Sequence, residues 1–291
     1  MRTYEELKQL LTQVKDNDYK IPDGVNLDDL IADMLKFIGH TDYELRDALI
    51  YSTFCTWVDN NVISTEQMRH MLITCLGEDY LFFGIGERDT DSVFTRSFSS
   101  LVIALAFCVQ DETPFLTEAD ILNIKDALIR YIGLERDYRG YIVGKGWAHA
   151  VAHIADALAN TAGADKIPEG KYVANREVYL EFLGAVKLLV CNKDMVYVAE
   201  EDERLTGVVF ASLSNEVLAT HDVMDWLKSF EVGSYDWKTA VLPDDYNIRV
   251  NKKHFMRSLY FGMLSCKDDE FDEVSVREVC EYMKSILVDS D

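Results

Sequence analysis

His149, His153 and Asp156 fall at i, i+4 and i+7 of an alanine-rich run, Trp147-Ala-His-Ala-Val-Ala-His-Ile-Ala-Asp. On a helix these positions share a face, with neighbouring Cβ atoms about 5–6 Å apart. Two imidazoles and a carboxylate on one stripe form a donor set for a divalent transition metal, the one cofactor the residues suggest. The flanking alanines leave room for a ligand or a partner helix. The plainer use is structural: packed histidines hydrogen-bond to backbone or carboxylates, Asp156 orients an imidazole or caps a helix, and Trp147 reads as a core anchor. Immediately upstream lie Glu135, Asp137 and Arg139, then a turn with Gly140, Gly144 and Gly146 that also carries Lys145. In a metal-dependent hydrolase Glu135 or Asp137 would serve as general base beside His149, His153 and Asp156.

A second polar cluster, Glu87, Asp89 and Asp91, precedes Arg96. Its carboxylates could hold a hard cation, but the spacing is not that of an EF-hand loop, and Asp91 is better placed as a helix N-cap. Arg46 beside Asp47, and Arg96 near Asp91, suggest a ladder of ion pairs between helices. His221-Asp222 matches the dipeptide of helical metal phosphohydrolases without further ligands at suitable places. No phosphate-cradling loop, nucleophile elbow, dinucleotide fingerprint or paired Cys/His zinc module is present.

Helices must carry these residues. Thr3–Glu6, Thr41–Glu44, Ser64–Gln67 and Ser275–Glu278 match the capping box. Residues 42–58 place Leu45, Ala48, Leu49, Ser52, Cys55 and Val58 on one face, and 94–109 are apolar nearly all round, as in a helix packed on several sides. Arg46, Arg96, Trp147, Gly207 and Arg257 mark a weak repeat, spaced 50, 51, 60 and 50 residues apart. Second amphipathic helices fit at 65–76, 118–132, 223–230 and 274–287. The pattern predicts an all-α fold of stacked antiparallel helical hairpins, a HEAT/armadillo-like curved superhelix of about five units. An irregular or toroidal helical domain is the alternative. Residues 17–26, 165–174 and 233–247 read as connections between helices, too short for domain linkers, so 1–291 reads as a single domain.

The 51 acidic and 29 basic side chains give a net charge of −22. Such a surface repels phosphate backbones and anionic headgroups, which argues against nucleic acid and membrane as partners and for a basic one. No run of about 18 apolar residues suggests a membrane span. The six cysteines include no CxxC and mostly sit in apolar helical runs, consistent with buried thiols in a reducing cytoplasm.

Three runs resemble the bacterial domain-of-unknown-function family 2785: Arg46-Asp-Ala-Leu, the stretch 86–101 beginning Gly-Glu-Arg-Asp-Thr-Asp, and 139–156 from Arg-Gly-Tyr through Gly-Lys-Gly-Trp-Ala-His-Ala-Val-Ala-His. Ile154 stands where that family often has glycine. The resemblance, over roughly residues 40–160, implies a bacterial cytosolic helical protein and no particular activity. It makes Asp91, Arg96, Arg139, Gly146, Trp147, His149, His153 and Asp156 signature positions. With no nucleophile–base set, the expectation is a binding scaffold for a protein or peptide partner. A metal-dependent hydrolase is the alternative, and a purely structural role for the signature residues is the third reading.

Overall fold

Only four prolines interrupt the chain, so its apolar-periodic runs are free to form helices. The computed structural model describes residues 1–232, 238–265 and 273–288. It is mostly helical, with two small β-hairpins. Contact density divides the chain into two compact units, Met1–Ala157 with Ala164–Tyr172, and Leu158–Gly163 with Val173–Asp291.

The first unit opens with α1 (Tyr4–Asp16) and α2 (Leu27–Lys36). A π-helical stretch (Glu44–Tyr51) continues into α3 (Ser52–Asp59), and after it come α4 (Thr65–Cys75), α5 (Ser92–Glu112) and α6 (Glu118–Leu134). Antiparallel β1 (Tyr141–Ile142) and β2 (Gly146–Trp147) lead into α7 (Ala150–Gly163), which begins in this unit and ends in the other. Strands β3 (Lys166–Ile167) and β4 (Gly170–Lys171) form a second hairpin where the sequence suggested only a loop.

Helix α5 is the centre of this unit, packed against α3 and α4. Phe94, Phe98, Val102, Ile103 and Ala106 are at most 2% exposed, and burying a large apolar side chain contributes about 1.5–3 kcal/mol. By length and hydropathy α5 is apolar enough to cross a membrane, yet 83% of that window is buried in the protein. Its polar residues turn back on the helix: Ser99 Oγ donates to the Thr95 carbonyl at 2.6 Å and Ser100 Oγ to that of Ser97 at 2.6 Å. The 17–26 connection is tied down by Trp57, whose Nε1 donates to the Tyr19 carbonyl at 2.8 Å.

The capping boxes at Thr3 and Ser64 form as expected, and Thr117 with Asp120 makes another that the E/Q pattern misses. Thr41 does not cap. Asp42 Oδ1 instead accepts from the Glu44 amide at 3.0 Å, and the helix beginning there is wide rather than α. Ser275 lies within a helix rather than before it, and its side chain is outside the described residues.

The second unit holds α8 (Arg176–Val190), α9 (Glu201–Leu213), α10 (Thr220–Lys228), α11 (Asp244–Ser265) and α12 (Glu273–Val288). Helix α9 packs on α8 and α11, and α11 on α12, around the ring cluster Trp226, Phe230 and Phe255. Residues 233–237 of the expected 233–247 connection, and Cys266, lie outside the described residues, and α11 already begins at Asp244. The repeat markers are not equivalent positions: Arg46 and Arg96 are fully buried, Arg257 is exposed, and Trp147 lies on a strand.

Candidate functional site

Gly146 and Trp147 lie on β2, with His149 and Asp91 bonded beside the hairpin, and arginines fix this part of the chain. Arg46, in the π-helical stretch, is 0% exposed. Its Nη2 donates to the Lys145 carbonyl at 2.8 Å and the Trp147 carbonyl at 3.3 Å, its Nη1 to the His40 carbonyl at 2.8 Å, and its Nε to Asp47 Oδ1 at 2.7 Å. The guanidinium lies 4.2 Å from the Phe94 ring centre and 4.7 Å from that of Phe98. Burial pulls its pKa below the ordinary arginine value, with Asp47 pulling the other way. A guanidinium suits the place because its planar fork supplies several donors and still stacks on rings.

Gly146 is required where the hairpin crosses this arginine. Its φ is +83°, and a Cβ there would come within 2.7 Å of Tyr43 Cβ and 3.0 Å of Arg46 Nη2. Below the hairpin, Val93 and Phe94 pack with Ala148, Ala150 and Ile142.

Arg96 fixes the incoming chain. Nε and Nη2 grip both oxygens of buried Glu135 at 2.7 and 2.9 Å, while Nη1 reaches Ser92 Oγ at 2.7 Å and the Phe83 carbonyl at 2.9 Å. Burial pulls the arginine pKa down, but the bonds to Glu135 together with the charges of Glu135, Tyr131 and Asp137 make the net shift upward. Glu135 Oε1 also accepts the amides of Arg136 at 2.8 Å and Asp137 at 2.9 Å. Asp137, 2% exposed, is gripped by Arg139 at 2.7 and 2.6 Å, and Arg139 Nη2 donates to the Thr90 carbonyl at 2.7 Å. Glu135 and Asp137 are thus both engaged in ion pairs that shape the loop.

Several expected assignments change. Asp91 stands at the N-cap position of α5 but makes no capping bond; its carboxylate takes Lys145 Nζ at 2.6 and 2.8 Å. Arg96 pairs with Glu135 in its place, and the Arg46–Asp47 pair that does form lies within one helical stretch rather than between helices. Trp147 is not a core anchor: it is 41% exposed, edge-to-face with the 58%-exposed Tyr141 at 5.1 Å and stacked on His149 at 4.6 Å.

His149 does not lie on α7. It precedes the helix with φ +50°, held by its amide to the carbonyls of Arg139 at 3.0 Å and Gly140 at 3.2 Å. Left-handed backbone in a non-glycine residue costs on the order of 1–3 kcal/mol and clusters at functional sites. The conformation continues the ring series: His149 lies 5.5 Å from His153, His153 5.1 Å from Phe98, and Phe98 6.1 Å from Tyr51. His149, His153 and Asp156 are all half-buried. Among the described residues no three His, Cys, Asp or Glu side chains are grouped to hold a metal ion. The Glu87 carboxylate is used by the hydroxyls of Thr90 at 2.9 Å and Ser92 at 2.7 Å.

Tyr51 ends this series and belongs to a run that sequence reading missed as a site: Tyr43, Asp47, Tyr51, Cys55 and Asp59, four residues apart in sequence. Tyr43 is 54% exposed beside Gly146. The Tyr51 hydroxyl is pushed up by burial and by Cys55, Asp156 and Cys108 nearby. Burial pushes the Cys55 thiol up, with Asp59 and Cys108 adding to it. Cys108 on α5 is exposed, contrary to the buried thiol expected, and its thiol is raised by partial burial and by Asp111 and Asp59. The clue was the four-residue spacing of polar and aromatic residues beside the Leu45–Leu49 core face.

In the second unit the His221-Asp222 dipeptide is structural. Asp222 is 5% exposed, pairs with Arg176 at 2.5 and 3.2 Å, and accepts the Ala219 amide at 3.0 Å.

A family model for a protein of unknown function (DUF2785) matches residues 81–261, well over half of the chain. No curated protein and no solved structure matches. The chain belongs to the DUF2785 family.

Proposed function

We propose that this DUF2785-family chain is a binding scaffold, docking a basic segment of a protein or peptide on the strip that runs from Tyr141 and Trp147 to Asp156. The observation that carries the reading is an exposed aromatic pair on a rigid mount. Trp147 and Tyr141 are 41% and 58% exposed, yet the hairpin that bears them is locked from below by the fully buried Arg46. Exposed aromatics held in one conformation lose little entropy on binding and are enriched at interface hot spots. The net charge of −22 favours a basic partner. The nearby cation Lys145 is neutralised by Asp91.

The proposal keeps a HEAT/armadillo-like stack of helical hairpins as its frame, supported by the packing of α4 on α5, α8 on α9 and α11 on α12. It also keeps the chain in a reducing cytoplasm, where the described cysteines stay free thiols. The test is capture of a partner from cell extract, identification, and titration of the purified partner against wild type and Trp147→Ala. At unchanged thermal stability the variant should lose at least about tenfold in affinity, the range of a single hot spot. Equal affinity of the two proteins would sink the reading.

A further inference from the structure

Trp147 has two mounts. One is its own backbone, whose carbonyl accepts from Arg46 Nη2 at 3.3 Å. The other is a ring. The indole stacks on the His149 imidazole with centroids 4.6 Å apart and planes 23° from parallel. Against His149 the imidazole of His153 stands edge-to-face at 5.5 Å, and His153 in turn meets Phe98, 2% exposed on α5, at 5.1 Å. Rings thus pass support from the core of the first unit out to a tryptophan that is 41% exposed.

The position of His149 is not one that a helix start asks for. Its carbonyl accepts from the His153 amide at 3.0 Å, which puts it at the entry to α7. Extended backbone and a Ser, Thr, Asp or Asn side chain are usual there, but His149 is a histidine with φ +50°. The chain on either side is pinned. Ala148 and Ala150 are at most 1% exposed, packed with Val93 and Phe94, and the amides of Ala148 and His149 both reach the Gly140 carbonyl, at 2.8 and 3.2 Å. Two requirements therefore meet at one residue: a backbone that accepts positive φ, and a flat ring to lie against the indole. Asparagine and aspartate meet the first, phenylalanine and tyrosine the second. Histidine is the ring-bearing residue among those enriched in left-handed backbone.

We infer, resting on the reading of Trp147 as a docking anchor, that His149 is its positioning residue. The strained backbone is kept because it lays the imidazole against the indole and holds the anchor in one orientation before a partner arrives. A side chain ordered in advance loses less entropy on binding.

The test follows the indole Nε1–H of Trp147 by nitrogen-15 relaxation in the full chain, its signal being the one absent from Trp147→Phe. In the wild type its order parameter should match rigid backbone, about 0.85. His149→Asn keeps a residue suited to positive φ and removes the ring, so the order parameter should fall below about 0.6. His149→Phe keeps the ring and adds backbone strain. Its indole should stay ordered although the thermal midpoint drops by about 2–4 °C. A purely structural His149 would move order and stability together in both variants. An ordered indole in His149→Asn, or a mobile one in a folded His149→Phe, would overturn the assignment, and the asparagine variant decides alone should the phenylalanine chain fail to fold. The docking reading fails separately, through equal partner affinity of wild type and Trp147→Ala, whatever the order of the indole.

Discussion

Arg46 and Lys145 lie 99 residues apart in sequence, and the guanidinium of one donates to the backbone carbonyl of the other at 2.8 Å. That bond joins the π-helical stretch to the turn of the hairpin. Every donor it uses is buried, so its loss leaves unpaired carbonyls as well as a space.

Arg46→Ala should therefore cost about 3–5 kcal/mol of stability, the range for breaking a buried ionic group out of its network. Arg46→Lys should recover only a small part, because one ammonium cannot span the carbonyls of His40, Lys145 and Trp147 together with Asp47. Thermal or urea unfolding measures both.

Arg96 and Glu135 should behave as a coupled pair. Glu135→Gln or Arg96→Met alone strands a buried charge and should destabilise by about 3–5 kcal/mol. The double variant should be less unstable than the sum of the singles, giving a coupling energy of about 1–3 kcal/mol in a double-mutant cycle. Simple additivity would show that the pair does not act as a unit.

Gly144 and Gly146 separate backbone strain from steric contact. Both have positive φ, +80° and +83°, but a Cβ on Gly144 meets open space, whereas one on Gly146 meets Tyr43 and Arg46. Gly144→Ala should cost about 1 kcal/mol, the conformational term alone. Gly146→Ala should cost about 1–3 kcal/mol more, since the hairpin must lift. Equal losses on urea unfolding would contradict the close approach.

Acid stability should depend on Asp42. Burial would raise its carboxyl, but Lys8 at 2.7 Å and the Tyr4 hydroxyl hold it down, to about 2. Unfolded, an aspartate titrates near about 4. The unfolded chain therefore takes up the proton first as pH falls. The stabilisation is fully present above about pH 5 and disappears between about pH 4 and pH 2. Asp42→Asn should flatten that part of the pH–stability curve while lowering stability at pH 7.

The helical class and most helix positions were legible because apolar periodicity and capping chemistry are local. Thr3, Ser64 and the 118–132 pattern needed nothing beyond their own neighbours. The grouping of Arg96, Glu135, Asp137, Arg139 and Trp147 in one region was legible as unusual composition, but the partner of each was not. Arg96 chose Glu135 at the end of α6 over the nearby Asp91, and Asp91 chose Lys145 of the hairpin turn, because the fold brings distant residues closer than sequence neighbours. Trp147 was misread as core because a tryptophan in an alanine-rich run looks buried until the strand under it is known. The row from Tyr43 to Asp59 was hidden for a different reason. An α-helical wheel assumes 3.6 residues per turn, and the first part of that row is not wound that way.

The wide winding from Glu44 to Tyr51 acts as a phase shifter for α3. The amide of Ser52 returns to the Asp47 carbonyl, five residues back rather than four. Were the same eight residues wound as an ordinary α-helix, each would turn the chain further and the rest of the helix would rotate with them. Tyr51, Cys55 and Asp59 would face elsewhere while Leu45 kept its place in the core. The winding of these eight residues, more than their identity, sets which side chains α3 turns toward α5.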